Sequence, residues 1–388
     1  MKKKKFAWKV VQLDNIANTA FHYAKYLRKA GMECDLLVEK GSSSDPATFM
    51  EERHQWVKYW TQTNPINKFF VLWKLTRDYD ILHANGGIAV YAYLIVKLRR
   101  IFGGNQKLIA HSMGSDLRLV AAKNTLKDLL SGNVYLQTEW SAFENFRNIL
   151  IGFLLRKSYK NCDRFFCFQP DQIPLIEKMG IKNVGFVFQI IDTEKFSPLK
   201  QKHKRKYLAL FYPTRHSWKT KGNDRFLNAF AKFLKMRPDA KLKLVYWDLH
   251  KEKSRLLVKE LKIEKSVTPL PLLKEKEIIR EYRDADIVVD EFGIGSFGPI
   301  SQEAMSCGKP VLRFIDEKLH AKFYSTKEKP PVENARSEEE ILAGLLKLAD
   351  KKYREKLGKK ARQFILEYHD WKKATEKLVE EYKLVLAK

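Results

Sequence analysis

At 388 residues the chain exceeds the size at which a single hydrophobic core keeps growing, so two domains are expected. With 45% hydrophobic residues it can bury both cores, which excludes a disordered chain. Lys and Arg total 73 against 46 Asp and Glu, and the formal +27 suits a polyanion (nucleic acid, an anionic membrane, a phosphorylated substrate) or else a Lys/Glu-rich solvated surface of hyperthermophile type. The four cysteines, Cys34, Cys162, Cys167 and Cys307, have no metal-like spacing and are too few for a disulfide scaffold, which points to a reducing cytoplasm. The start "MKKKKFAWKVVQL" lacks an uninterrupted apolar run because Lys9 breaks it, so no signal peptide is expected. The most apolar stretch, 149–155, is bracketed by Arg147 and Arg156 and falls short of the ~20 residues a spanning helix needs.

Strand-like and helix-like segments alternate along the chain. "WKVVQL" reads as a first strand, "NTAFHYAKYLRKAG" as an amphipathic helix closed by Gly31, "ECDLLVE" as a second strand, "DILHANG" as a third and "KLIAHSMG" as another. Around "IIDTEKFSPLKQKHKRK" the pattern lapses into a polar stretch with Pro198, read as a linker. It then restarts with "YLALFYP", the helix "DRFLNAFAKFLKM", "KLKLVYW", a helix near Lys251 to Leu261, "DIVVD", a helix at Pro299 and "PVLRF". After Ser337 the chain is helical and charged. A strand–helix series that stops and begins again predicts an α/β protein of two doubly wound, Rossmann-like domains facing a shared cleft, with ligands off the C-terminal ends of the strands. The boundaries drawn are 1–198 for an N-terminal domain, 199–367 for a C-terminal domain, and 368–388 for a terminal helix.

Three stretches carry chemistry. In "GSFGPISQEAMSCGKPV" a buried strand leads through a glycine-rich turn into a short helix, with Pro299 in its first turn, Gly308 at its end and Pro310 forbidding its return. Its N-terminus offers unpaired N–H groups and a partial positive charge over Ser296, Phe297 and Gly298, which suits a phosphate. Glu303, one turn in, can as an ionised carboxylate accept both hydroxyls of a ribose, or is an ordinary helix glutamate. In "PTRHSWKTKGND" Arg215 and Lys221 share a loop at a strand's C-terminal end, where two cations grip a diphosphate and Gly222 lets the backbone come close, unless the loop is simply solvated. In "HSMGSDLR" His111 ends a strand on the ligand face, before a turn at Gly114, Ser115 and Asp116. The Asp pairs at Asp284/Asp286 and Asp78/Asp80 mimic metal-holding carboxylates but precede strands, at the edge away from the ligand face. No GxGxxG follows the first strand, and Lys221 lacks the serine or threonine of a P-loop.

These motifs resemble one family. "GSFGPISQEAMSCGKPV" is similar to the "EGFGLVxLEAMAxGxPV" signature of the retaining glycosyltransferases of family 4 (glycosyl transferases group 1), which have the GT-B fold. "RHSWKTKG" has that family's Arg-to-Lys-Gly spacing, "HSMGSDLR" looks like its first-domain histidine segment, and "VFQIIDTEKFSP" looks like its "VPNGIDxxxFxP". The resemblance implies an enzyme that moves a sugar, of hexosyl type, from a nucleotide-diphosphate donor to an acceptor with retention, without cofactor or metal. It implies that Arg215 and Lys221 neutralise the leaving diphosphate, that Glu303 holds the ribose, that the turn Ser296 to Gly298 supports the phosphates, and that His111, with Asp116 beside it, approaches the sugar. It also implies that the terminal helix returns to brace the first domain.

Two departures stand out. The family's first signature glutamate is Gly295 here, and Asp290 or Glu291 are the candidates to replace it. The glycine-rich loop after the first strand is replaced by "DNIAN", Asp14 to Asn18. The acceptor expected is a lipid-linked or cell-surface glycan precursor. "YAYLIVKLRRIFGG" and "NFRNILIGFLLRKSYK" mix bulky apolar residues with cations, as a helix lying on an anionic bilayer does, so peripheral association at the cytoplasmic face is expected. The rival readings are a non-hydrolysing nucleotide-sugar epimerase, which shares the two-domain fold, and a basic nucleic-acid-binding protein on an inactive GT-B scaffold. No basic–aromatic recognition module supports the last, so nucleic acid is not the favoured partner.

Overall fold

The computed structural model describes residues 6–42, 45–46, 54–61, 63–114, 116–117, 142–199, 205–324 and 329–387. The chain forms two compact units, one of Met1–Ile190 with Ala374–Lys388 and the other of Ile191–Lys373.

The first unit is built on seven parallel strands: β1 (Lys9–Leu13), β2 (Glu33–Glu39), β3 (Val57–Trp60), β4 (Ile81–Asn85), β5 (Lys107–His111), β6 (Arg164–Cys167) and β7 (Val184–Phe186). They lie in the order β3-β2-β1-β4-β5-β6-β7. Helices α1 (Thr19–Lys29), α2 (Pro65–Leu75), α3 (Ala89–Ile101), α4 (Ala142–Lys160) and α5 (Ile173–Met179) supply the crossovers. The inner strands are buried along nearly their whole length, as sheets covered on both faces must be.

The second unit repeats the plan with β8 (Leu208–Tyr212), β9 (Ala240–Val245), β10 (Val267–Leu270), β11 (Ile287–Val289), β12 (Val311–Arg313) and β13 (Glu333–Asn334), all parallel, in the order β10-β9-β8-β11-β12-β13. Its helices are α6 (Trp218–Lys221), α7 (Asn223–Met236), α8 (Lys251–Glu260), α9 (Glu275–Asp284), α10 (Pro299–Ser306), α11 (Glu317–Tyr324), α12 (Glu338–Ala349) and α13 (Lys351–Tyr368). In α7 the residues Phe226, Phe230 and Phe233 recur at helical spacing and are fully buried against Leu210, Leu242 and Val289. Each such ring contributes roughly 1.5–3 kcal/mol. At the start of α12 the Ser337 hydroxyl accepts the Glu340 N–H (3.2 Å) and the Glu340 carboxylate accepts the Ser337 N–H (3.0 Å), a reciprocal cap that fixes where the charged C-terminal helices begin.

The last helix, α14 (Trp371–Leu386), lies against the first sheet through its C-terminal part: the Glu381 carboxylate pairs with Arg164 of β6 at 2.7 Å, and Tyr382 is fully buried beside β1 and β4. The doubly wound architecture and the returning helix are therefore as expected. Strands β3, β6, β7, β10 and β13 are additions to the expected series. β10 lies on the sheet edge, the position where its Pro269 needs no ladder partner.

Candidate functional site

In each sheet the strand order reverses beside the first strand, between β1 and β4 and between β8 and β11. Ligands of doubly wound sheets gather outside the C-terminal ends of the strands at this switch. Both segments singled out in the second unit leave the sheet at that point.

After β8, the loop Pro213 to Ser217 is fixed by Asn223, the first residue of α7. Its side-chain oxygen accepts the Ser217 N–H (2.9 Å) and its amide donates to the Tyr212 hydroxyl (2.9 Å) and the Arg215 carbonyl (3.2 Å). Gly222, with φ of 64°, breaks α6 from α7 so that Lys221 ends one helix while α7 starts in a new direction. After β11, the Phe292 N–H donates to the Lys221 carbonyl (2.9 Å). A Cβ at Gly293 would stand 2.1 Å from the Thr220 carbonyl oxygen, so only glycine lets the two loops pack backbone to backbone. Gly293 is a site-forming residue that the motif comparison passed over.

Between the loops lies a buried charge network. Glu291, 1% exposed, pairs with Lys221, accepts the Ser296 N–H (2.7 Å) and hydroxyl (2.9 Å), and lies 3.4 Å from Arg313. Arg313, on β12, is 0% exposed. Its guanidinium meets Asp290 (2.7 Å) and the Ser301 hydroxyl (2.6 Å), and sits over the Phe297 ring at 5.6 Å. Asp290 also accepts from the hydroxyls of Thr214 (2.7 Å) and Ser301 (2.6 Å). Two cations thus face two carboxylates, the condition under which buried charge is tolerable. Burial by itself would push the Glu291 carboxyl up, but Lys221 and Arg313 outweigh it and hold it below the ordinary carboxylate range. Arg313 was missed in the sequence, where "PVLRF" was read only as a strand. Its signal is a lone charge in a central strand, beside a strand that ends in Asp-Glu.

The turn before α10 differs from expectation. Its Ser296 N–H is not open to a phosphate but is taken by Glu291, and the Phe297 ring is buried at 1% exposure among His320, Phe364 and His369. What Phe297 can offer a ligand is backbone, not side chain. Asp290 is correspondingly a network residue, because both its oxygens are committed within the protein. The backbone explains the missing glutamate as well. Gly295 has φ of 80°, and a Cβ there would come within 3.0 Å of the Phe314 ring. Gly298 opens α10 and Pro299 occupies its first turn, as predicted.

Glu303 sits one turn into α10, half-buried beside the buried Tyr282. Burial raises its carboxyl to about 8, with Glu275 adding to the rise and the Tyr282 hydroxyl and Lys195 opposing it. The expected ionised acceptor is therefore mostly protonated at pH 7. Arg215 is half-exposed and reaches Asp248 at 3.3 Å. The two aspartate pairs have structural partners: Asp80 accepts the Lys9 N–H (2.7 Å), Asp286 accepts the Ala209 N–H (3.0 Å), and Asp284 is held by Arg205 (2.5 Å) and Lys243 (3.2 Å).

In the first unit His111 ends β5 and is fully buried, its Nδ1 3.1 Å from Nε2 of His83. Burial lowers it to about 3, so the ring is neutral. Asp116 accepts the Met113 N–H (2.9 Å), the Ser112 hydroxyl (3.2 Å) and the Tyr159 hydroxyl, and so ties the turn that follows. Ser115 lies outside the described residues. The "DNIAN" loop reproduces a glycine-rich turn by other means: Asp14 and Asn18 adopt φ of 64° and 56°, and the Asn15 side chain bonds both the Asn18 side chain (2.9 Å) and the Phe21 N–H (2.9 Å). Asp and Asn are the residues that tolerate left-handed backbone best after glycine.

Residues 192–364 match the family model described as glycosyl transferases group 1, so the second unit carries that domain. No curated protein matches the sequence. Among solved structures, a sucrose-phosphate synthase from Thermosynechococcus elongatus superposes with a TM-score of 0.71 at 16% identity, covering 98% of this chain and 99% of that one. Anabaena HepE in complex with UDP and glucose gives 0.70 at 14% identity over 97% and 99%. A protein from Listeria monocytogenes described as a UDP-N-acetylglucosamine 2-epimerase gives 0.59 at 13% identity over 98% and 96%. At these identities the likeness establishes the GT-B fold.

Proposed function

We propose that the chain is a glycosyltransferase that moves a sugar from a nucleotide-diphosphate donor to an acceptor with retention of configuration. The observation that carries the reading is the juxtaposition of the Arg215–Lys221 loop with the β11–α10 turn at the switch point, inside the segment that matches glycosyl transferases group 1. Lys221 and Arg215 neutralise the diphosphate as the sugar–phosphate bond breaks, and Glu303 takes the ribose hydroxyls. The acceptor oxygen attacks the face the diphosphate leaves and passes its proton to the departing phosphate oxygen. Leaving-group stabilisation of this kind is worth ~10²–10³ per contact. The HepE complex with UDP and glucose makes uridine nucleotides the first donors to test.

The surface of the first unit supports a lipid-linked acceptor. Helix α3 exposes Leu98 and, with the residue after it, Ile101 (68%) and Phe102 (80%), and the neighbouring α4 exposes Leu150 and Phe153 (63%). This apolar face, set among basic residues, rests on an anionic membrane surface at the cytoplasmic side and brings the enzyme to a lipid-linked acceptor. No helix among the described residues is long and apolar enough to cross a membrane.

The test is thermal stability against uridine, adenosine and guanosine diphosphates and their sugars, then product analysis by NMR for the anomeric configuration. A shift with one base, lost in Glu303→Ala and Lys221→Ala, supports the reading. Absence of any shift refutes it. The epimerase likeness keeps a second outcome in view: conversion of a UDP-sugar to its 2-epimer without an acceptor would replace the transferase by an epimerase.

A further inference from the structure

The core of the first sheet contains a line of polar side chains where apolar ones would be expected. Gln12 on β1, His83 and Asn85 on β4, and His111 on β5 are each fully buried. Register places Gln12 beside His83 and Asn85 beside His111, so the four share one face of the sheet. Tyr382 of α14 closes the line from above, itself fully buried.

The hydrogen bonds have a direction that the backbone fixes. The Asn85 side-chain amide donates to the Leu13 carbonyl (3.0 Å), which can only accept, and reaches the Gln12 oxygen at 3.4 Å. Gln12 therefore turns its amide nitrogen to Tyr382 and donates to the hydroxyl at 2.8 Å. The hydroxyl has a single proton, and Nδ1 of His83 stands 2.7 Å away to receive it. His83 must then carry its proton on Nε2, which donates to Nδ1 of His111 at 3.1 Å. That leaves the His111 proton on Nε2, which has no hydrogen-bond partner among the described residues. The reverse direction would give the Tyr382 oxygen two incoming protons and leave its own without an acceptor in a buried place. Burial keeps both imidazoles neutral, so each carries one N–H and the accounting closes. Tyr23 stacks on the His111 ring (5.7 Å, 12°) and Phe168 meets its face edge-on (5.0 Å, 86°), which holds the ring plane.

We infer that Asn85, Gln12, Tyr382 and His83 form a one-way hydrogen-bond chain that sets His111 as an Nε2–H donor, so that His111 meets a substrate oxygen by donating to it and does not act as a base. The inference rests on the reading above only in making that oxygen a substrate's. His83 and Tyr382 are positioning residues: they touch no substrate and act by fixing which nitrogen of His111 carries the proton. The oxygen is either a sugar hydroxyl or a phosphate oxygen, since both accept.

Nitrogen-15 NMR of the histidine-labelled full-length protein reads the tautomer directly, with His111→Leu identifying the signal. The expected result is a neutral ring protonated on Nε2. A proton on Nδ1, or on both nitrogens at neutral pH, overturns the inference whether or not the protein proves to be a transferase. Tyr382→Phe keeps the ring and removes the hydroxyl, so His83 loses the bond that fixes its tautomer. The His111 signal should then split between tautomers, and kcat should fall about tenfold with the donor KM unchanged, the size of one lost hydrogen bond. A merely structural Tyr382 would lower the melting temperature and leave tautomer and kcat as they were, which also refutes the chain. In His111→Leu, weaker binding of UDP-sugar with unchanged binding of UDP identifies a sugar hydroxyl, and weakening of both identifies a phosphate oxygen. Unchanged binding and unchanged turnover would remove His111 from the substrate while leaving the measured tautomer to decide the chain.

Discussion

Lys221 does not project freely from its loop; it is paired with Glu291, a carboxylate that also holds the Ser296 N–H and approaches Arg313. The protein's own anion sits where sequence motifs lead one to expect a phosphate. A bound diphosphate then competes with Glu291 for Lys221 and for the turn. Glu291→Gln should lower thermal stability, because two buried cations would face Asp290 alone. The same variant should be stabilised more by inorganic pyrophosphate than the parent protein is. Equal stabilisation of both by pyrophosphate would show that Glu291 and the anion do not share Lys221. Lys221→Ala should keep the fold and lose ~10²–10³ in turnover, as for removal of one preorganised charge contact.

Arg313 is the hub of the network, and its removal strands the Asp290 carboxylate in the core of the second unit while Glu291 keeps Lys221. Breaking a buried ion pair by deleting one partner typically destabilises by about 3–5 kcal/mol. For a unit of this size that is a melting-temperature drop of roughly 6–20 °C. Arg313→Met should show it in calorimetry. Arg313→Met combined with Asp290→Asn should recover part of the loss, because the stranded charge is removed with its partner. No recovery would mean that the Arg313 effect is one of packing rather than charge.

The legible and illegible parts of this molecule divide by the range of the interaction involved. β1, β2, β4, β5, β8, β9, β11 and β12 and the helix α10 were readable because hydrophobic runs, Pro299 and Gly308 act within a few residues. β3 and β10 were not, since short edge strands with exposed residues carry little pattern. Lys221, Glu291 and Glu303 were singled out by their motifs, but their states were not legible. The pairing of Lys221 with Glu291 spans 70 residues, and that of His83 with Tyr382 spans 299. Arg313 looked like an interruption in a strand because its partners lie just after β11 and on α10.

Gly295 stands where the related signature has a glutamate, and the conformation shows why restoring that residue would not restore a contact. With φ of 80° and the Phe314 ring 3.0 Å from a built Cβ, any side chain there is strained. Gly295→Glu should destabilise by about 1–3 kcal/mol and leave turnover no higher than in the parent. Gly298, three residues on, has φ of −87° and open space at its Cβ, so Gly298→Ala carries no such strain and should lose only the poorer capping of alanine, about 0.5–1 kcal/mol. Chemical denaturation of the two variants side by side checks this, and a Gly295→Glu protein of parental stability would contradict it.

Glu303 couples the site to pH in a direction opposite to that of most carboxylates. Its folded pKa of about 8 lies above the ordinary value of 4.5, so the folded protein keeps a proton that the unfolded chain releases. The resulting contribution to stability is complete below the ordinary carboxylate range and is lost as pH rises to about 8. Ligand binding runs the other way. A ribose diol donates both hydroxyls to the ionised carboxylate, so binding expels the proton and tightens as pH rises, by up to about tenfold per unit until about pH 8, then levels off. Titration calorimetry with UDP between pH 6 and 9 should show this rise and proton release in the same window. Glu303→Gln should bind more weakly and flatten the profile. Inorganic pyrophosphate, which has no ribose, should lack the Glu303-linked part of the pH dependence even in the parent protein. A UDP affinity that does not change across that window, with no proton released, would mean that the ribose does not meet Glu303.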